Sequence, residues 1–192
     1  MVRTTSEDPS GWRGTIIPNR ENILWRICTR ARKLLFGEII NDKMYENEIG
    51  KIVRACWEEL PMHYPGIELD EFVVMPNHVH GIIVINRVGV QRVEPLPNKF
   101  QHITPGYVGT IVRSFKSAVT SWCRKHGFKN FQWQRNYFEH IIRDDKSLEL
   151  IREYIATNPE RWEYDKENAE RTDIDKFDEW LSATGNLPIA KR

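Results

Sequence analysis

Long apolar runs, cysteine and charge of one sign are all in short supply in this sequence. No stretch of about 18 consecutive apolar residues occurs, so no membrane-spanning helix is predicted. The first ten residues carry Glu7, Asp8 and Pro9 where a secretory signal would need an apolar segment, so none is expected there. There are three cysteines, Cys28, Cys56 and Cys123, an odd number set far apart. Their spacing fits neither a zinc clip nor a disulfide framework. All three lie in apolar-periodic segments and are expected to pack as small hydrophobes, which points to a reducing, cytoplasmic compartment. The 28 Lys+Arg balance 27 Asp+Glu, so any nucleic-acid surface has to be a local patch.

Core material is plentiful, with seven Trp and eight Phe in 192 residues, a length that suits one moderate domain. Residues 1–22 read as an irregular lead, and Ile23–Thr29 as a first strand. Asn47 can cap a helix with apolar positions Ile49, Ile52, Val53, Cys56, Trp57 and Leu60, stopped by Pro61. A second strand covers Ile67–Met75, and Pro76-Asn77 turns it into a third. Residues 87–104 read as an exposed loop. A long helix follows from Gly106 to His126, with Ile111, Phe115, Ala118, Val119 and Trp122 as its buried stripe. Phe131–Ile142 reads as a further strand, and Asp144 or Asp145 caps a helix over Lys146–Asn158. From residue 163 the chain is an acidic tail with one short amphipathic stretch at Ile174, Phe177, Trp180 and Leu181. The order predicts an α+β fold, a ferredoxin-like βαββαβ palm with an antiparallel sheet and helices on one face. A C-terminal helix adds to it.

The third strand begins Asn77-His78-Val79-His80. Residues i and i+2 of a strand share a face, so the two imidazoles project together. That is half of a divalent-metal site, although such a pair alone is more often an ordinary polar face. On the last helix Leu148, Ile151 and Ile155 form a stripe. Tyr154 and Asn158, one turn apart, border it on one side. If that helix packs on the histidine strand, two imidazoles, an amide oxygen and a phenol share a site. Such a set suits tyrosine attack on a phosphodiester.

Three segments occur in fixed order: MPNHVHGIIV (75–84), FQWQRNYFEHIIRD (131–144) and IREYIATNP (151–159). Together they resemble the single-tyrosine HUH transposases, in which HUH denotes His–hydrophobic–His, and especially the REP-associated tyrosine transposases. The resemblance covers residues 23–162. It implies a metal-dependent enzyme that cleaves and rejoins single-stranded DNA beside hairpins through a 5′-phosphotyrosine, leaving a free 3′-OH. Carried over residue by residue, it implies Tyr154 as nucleophile and His78, His80 and Asn158 as ligands of Mg²⁺ or Mn²⁺. It implies hairpin or palindromic DNA as partner, a bacterial, nucleoid-associated setting, and a homodimer as one possible assembly. Asn158 stands where classical insertion-sequence relatives carry glutamine, and Arg26 where many relatives are apolar or small.

Tyr137 is a rival nucleophile, without a metal-facing partner at helical spacing. Arg113, Lys116 and Arg124 recur along one helix face, with Arg135 close behind, and are read as DNA-phosphate contacts. Trp133 and Tyr137, with Phe138, are read as stacking platforms for unpaired bases. Two other classes compete. One is a hairpin-binding protein that has lost strand transfer; the other is a zinc hydrolase, which would need further His/Asp ligands that the sequence does not offer.

Overall fold

The structure, a computed structural model, describes residues 20–86, 107–173 and 176–183. The predicted lead before residue 20, and the predicted loop with His102, lie outside the described residues. Six strands run in chain order: β1 (Arg20–Cys28), β2 (Gly37–Ile40), β3 (Lys43–Glu46), β4 (Ile67–Val74), β5 (His78–Asn86) and β6 (Phe138–Ile142). The α-helices are α1 (Glu48–Glu58), the short α2 (Leu60–His63), α3 (Tyr107–Lys125), α4 (Asp145–Thr157) and α5 (Lys176–Ala183). Four strands form one sheet in the order β4-β5-β1-β6, antiparallel throughout. This is the predicted ferredoxin-like order, with the sequence-first strand and the histidine strand at the centre.

Alternation sorts the central strands between two cores. Ile23, Trp25 and Ile27 of β1 and Val79, Ile83 and Ile85 of β5 pack with α1 and α3. Leu24 and Ile82 face the other way, towards Leu148, Ile151, Tyr154 and Ile155 of α4. Gly81 belongs to the first face. A Cβ there would stand 2.6 Å from the Trp57 ring, so its absence is what lets the indole approach the strand so closely. Asn47 caps α1 as expected, its side-chain oxygen accepting from the amides of Ile49 and Gly50. Asp144 caps α4 through the Ser147 amide. Among the described residues no helix is long and apolar enough to cross a membrane.

Four expectations need correction. The stripe of α3 is Ile111, Val112, Phe115, Val119 and Cys123; Ala118 is exposed. At about 100° per residue the helix is rotated by roughly 50° from the predicted orientation. Phe131–Ile142 is strand only from Phe138. Before that, backbone pairing is limited to the bridge between Trp133 and Thr29. The hairpin β2–β3 was not predicted. Its turn residues Asn41 and Asp42 take φ of 48° and 61°, the left-handed pair that a tight hairpin turn demands. Finally, the short stretch Leu60–His63 carries Pro61 inside a helical turn, in its first residues, where the missing N–H costs little.

Candidate active site

The face of the sheet opposite α1 and α3 carries the histidines. The β4–β5 turn is closed by the Met75 amide donating to the His78 carbonyl at 2.8 Å. His78 and His80 then project side by side, with ring centroids 4.7 Å apart and nearly perpendicular planes. They face α4. The His80 ring meets the Tyr154 ring edge-on at 5.2 Å. Arg152 of α4 pins the helix in this position, donating from Nε to both carboxylate oxygens of Asp70 on β4 at 3.0 and 3.1 Å. Tyr154 and Asn158 do not border the buried stripe of α4. They lie within it, 1% and 0% exposed.

Asn77 orients the first imidazole. Its amide nitrogen donates to the carbonyls of Glu167 and Arg32, so its oxygen is the acceptor, 2.8 Å from His78 Nδ1. His78 Nδ1 therefore carries the proton, and the lone pair of Nε2 points into the site. His78 Nε2 lies 3.6 Å from Asp165 Oδ2, too far for a hydrogen bond and suited to a shared ion. Among the described residues His78, His80 and Asp165 form one cluster whose ligand atoms all lie within 4.8 Å. Both ring nitrogens of His80 and the Asn158 Oδ1 are buried with no hydrogen-bond partner. Buried polar atoms left unpartnered in this way are costly unless something satisfies them. Asn158 Nδ2 donates to Asp165 Oδ2 at 3.2 Å, which ties the amide to the same carboxylate oxygen that faces His78. Two imidazoles, a carboxylate and an amide oxygen thus fit a small divalent ion. Burial, then the neighbouring His78, Arg26 and Lys166, hold the His80 pKa well below its ordinary value. His80 is accordingly neutral and ligand-ready at pH 7.

Sequence reasoning missed Asp165 and Asn77. Asp165 falls beyond the boundary drawn at residue 162. The 3-10 turn Asn158–Tyr164 folds the chain back over the site, and Pro159 looked like a plain helix stop. The tail is also part of the packing here: Phe177 of α5 stacks on Tyr154 with centroids 3.9 Å apart. Arg161 lies over the same ring at 5.5 Å.

The rival tyrosine is elsewhere. Tyr137 packs with the α1–α3 core, on the opposite face of the sheet from the histidines. Its hydroxyl donates to Glu139 at 3.0 Å, and burial with that carboxylate raises its pKa. His140 shares the site face, paired across from Leu24, and burial lowers its pKa.

Of the residues predicted to meet DNA, Arg113, Lys116, Arg124, Trp133 and Arg135 line one open groove of about 1080 Å³ between α3 and residues 131–135, and Tyr137 does not. Arg113, Arg124 and Arg135 line it as exposed cations, joined by Arg30 and Lys125. Lys116 lies here too, but its ammonium donates to the carbonyls of Gln134, Arg135 and Asn136 at 2.8–3.4 Å. Burial lowers its pKa to about 8. Trp133 is locked as well, donating from Nε1 to the Lys116 carbonyl and packing against Phe36, Phe115 and Phe131.

No family model matches the chain. An uncharacterized protein of Haemophilus influenzae is 48% identical over 148 residues, 73% of this chain and 81% of its own length. A second Haemophilus influenzae protein, described as a REP-associated tyrosine transposase, is 27% identical over 148 residues, 72% of this chain and 76% of its own. A solved structure of a REP-associated tyrosine transposase bound to a REP hairpin superposes with a TM-score of 0.51 at 22% identity. It covers 98% of this chain and 92% of that one. The likeness to REP-associated tyrosine transposases therefore appears both in a sequence relative and in the fold of a solved structure. This similarity supports a transposase-family role, the class expected from the order of the MPNHVH and tyrosine-helix segments. It also agrees with the α+β fold and its antiparallel four-stranded sheet.

Proposed function

We propose that this transposase-family protein cleaves and rejoins single-stranded DNA beside hairpins, with Tyr154 as nucleophile and His78, His80, Asn158 and Asp165 holding Mg²⁺ or Mn²⁺. The observation that carries the reading is the edge-on contact of His80 with Tyr154, which puts the phenol beside the orphaned ligand atoms. A bound divalent ion supplies Lewis-acid polarisation of a phosphoryl oxygen. The residues do the rest. Tyr154 gives up its proton and its oxygen bonds to phosphorus. The P–O3′ bond breaks, and the leaving oxygen takes up a proton to become a 3′-OH. The phosphotyrosine keeps the bond energy, so another 3′-OH can reverse the step and join strands. Asn77 holds the His78 tautomer, and Arg152 holds α4 at its distance from β5. Arg113, Arg124 and Arg135 would track the phosphates of a hairpin stem. A homodimer is compatible with this scheme without being required by it.

The test is a hairpin oligonucleotide labelled at its 3′ end, incubated with protein and Mn²⁺ and run on a denaturing gel. Label should move to the protein band, and should not do so with Tyr154→Phe or with a chelator. Undiminished transfer in Tyr154→Phe contradicts the assignment. Tight hairpin binding with no transfer by the unaltered protein points instead to a binding protein that has lost the reaction.

A further inference from the structure

Arg26 is the odd residue of β1. Its neighbours on the same strand face are Leu24 and Cys28, and it stands directly across from His80 in the β1–β5 register. A guanidinium at such a position is costly unless paired. It is 8% exposed, lies over the Phe138 ring at 4.9 Å, and faces Glu167, with Nε 3.4 Å from Oε1. The other oxygen of Glu167 accepts from Arg32 Nε at 2.8 Å. Arg32 is delivered by two residues in left-handed backbone, Ala31 at φ 55° and Arg32 itself at φ 52°. Outside glycine that conformation is disfavoured. Glu167 is in turn fixed beside the proposed ligand Asp165, its amide donating to Asp165 Oδ1 at 2.7 Å. One carboxylate, its two oxygens held by two guanidiniums, therefore sits next to the histidine–aspartate cluster.

We propose that Arg26 and Arg32 form the seat of the scissile phosphate, and that the Glu167 carboxylate occupies that seat in this structure. The inference rests on the reading that Tyr154 attacks a phosphodiester. A phosphodiester offers two anionic oxygens much as a carboxylate does, and guanidinium forks match both. Arg26, buried and stacked on Phe138, is pre-aimed at the charge that develops on the phosphoryl oxygens as the Tyr154 oxygen bonds to phosphorus. Arg32, half exposed, orients the strand.

The alternative is that Arg26 does no more than anchor the tail through Glu167. Three variants separate the two. Arg26→Gln should slow single-turnover adduct formation by about 10²–10³-fold, the loss typical of one transition-state donor, while hairpin affinity and calorimetric Mn²⁺ affinity change less than about threefold. Arg26→Lys should recover part of the rate. Glu167→Gln leaves both arginines in place and weakens their occupant, so adduct formation should speed up. As a readout free of the chemistry, inorganic phosphate should raise the melting temperature of Glu167→Gln more than that of the unaltered protein. That gain should vanish in the Arg26→Gln/Glu167→Gln double variant. An adduct rate within about twofold of the unaltered protein in Arg26→Gln overturns the proposal, as does slower adduct formation in Glu167→Gln. So does the absence of a phosphate effect. If no adduct forms at all but the phosphate effect appears, the seat stands and the tyrosine chemistry fails. If adduct forms and the arginine is silent, the reverse holds.

Discussion

His80 offers the sharpest perturbation that does not require DNA. It is 2% exposed, its two ring nitrogens have no hydrogen-bond partner, and Arg26 and Lys166 add positive potential. Protonating it inside the fold is therefore opposed three times over, and its folded pKa lies well below 6.5. The unfolded chain protonates it at about 6.5. The unfolded state thus binds more protons at acid pH, so this group's contribution to stability is complete above 6.5 and is lost as pH falls towards the folded value. A single group that stays neutral in the fold down to pH 5 removes about 2 kcal/mol of unfolding free energy between pH 7.5 and 5. The limiting slope is about 1.4 kcal/mol per pH unit. Urea unfolding of metal-free protein at pH 5.0, 5.5, 6.0, 6.5 and 7.5, for the unaltered chain and His80→Gln, isolates the term. The unaltered chain should lose more stability than the variant over that range, by up to about 2 kcal/mol. Saturating Mn²⁺ should stabilise the unaltered protein by mass action. Parallel curves for the two proteins would mean that His80 is neither buried nor neutral as described.

Other perturbations read different parts of the account. Asn77→Ala removes the acceptor that fixes the His78 tautomer, and Mn²⁺ affinity by calorimetry should fall about 10–100-fold with the fold retained. Gly81→Ala puts a Cβ 2.6 Å from the Trp57 ring and 2.9 Å from that of Phe72. It should cost about 1–3 kcal/mol in chemical denaturation, and a neutral result would mean that the indole is not seated on β5. Single Ala variants of Arg113, Arg124 and Arg135 should each weaken hairpin binding across sequences and flatten its salt dependence by about one unit of slope. Lys116→Met should instead lower stability and leave that slope unchanged, because its ammonium is engaged by three backbone carbonyls.

What could be read from the sequence follows physical periodicity. The strand alternation of His78-Val79-His80 and the four-residue step from Tyr154 to Asn158 are local, so the face each residue takes was legible. The packing of α4 on β5 is a tertiary fact, and only the resemblance made it expected. Three things escaped for stated reasons. The Asn41-Asp42 turn lacks the glycine that usually announces a tight hairpin. The α3 face was misjudged because alanine carries little burial signal and Lys116 finds carbonyl partners. Asp165 hid seven residues beyond Asn158, in a stretch whose acidity suggested a solvated tail. There the 3-10 turn returns one carboxylate to the histidines and a second, Glu167, to Arg26.

The central claim, that Tyr154 is the residue that joins DNA, can be read directly from the protein. After reaction with hairpin DNA and Mn²⁺, nuclease trimming and tryptic digestion leave a nucleotide remnant on one peptide. Cleavage after Arg152 and Arg161 places Tyr154 in peptide 153–161, and cleavage after Arg135 and Arg143 places Tyr137 in peptide 136–143. Mass spectrometry should find the phosphonucleotide on peptide 153–161, at Tyr154. Finding it on peptide 136–143 would move the chemistry to the other face of the sheet and contradict the account.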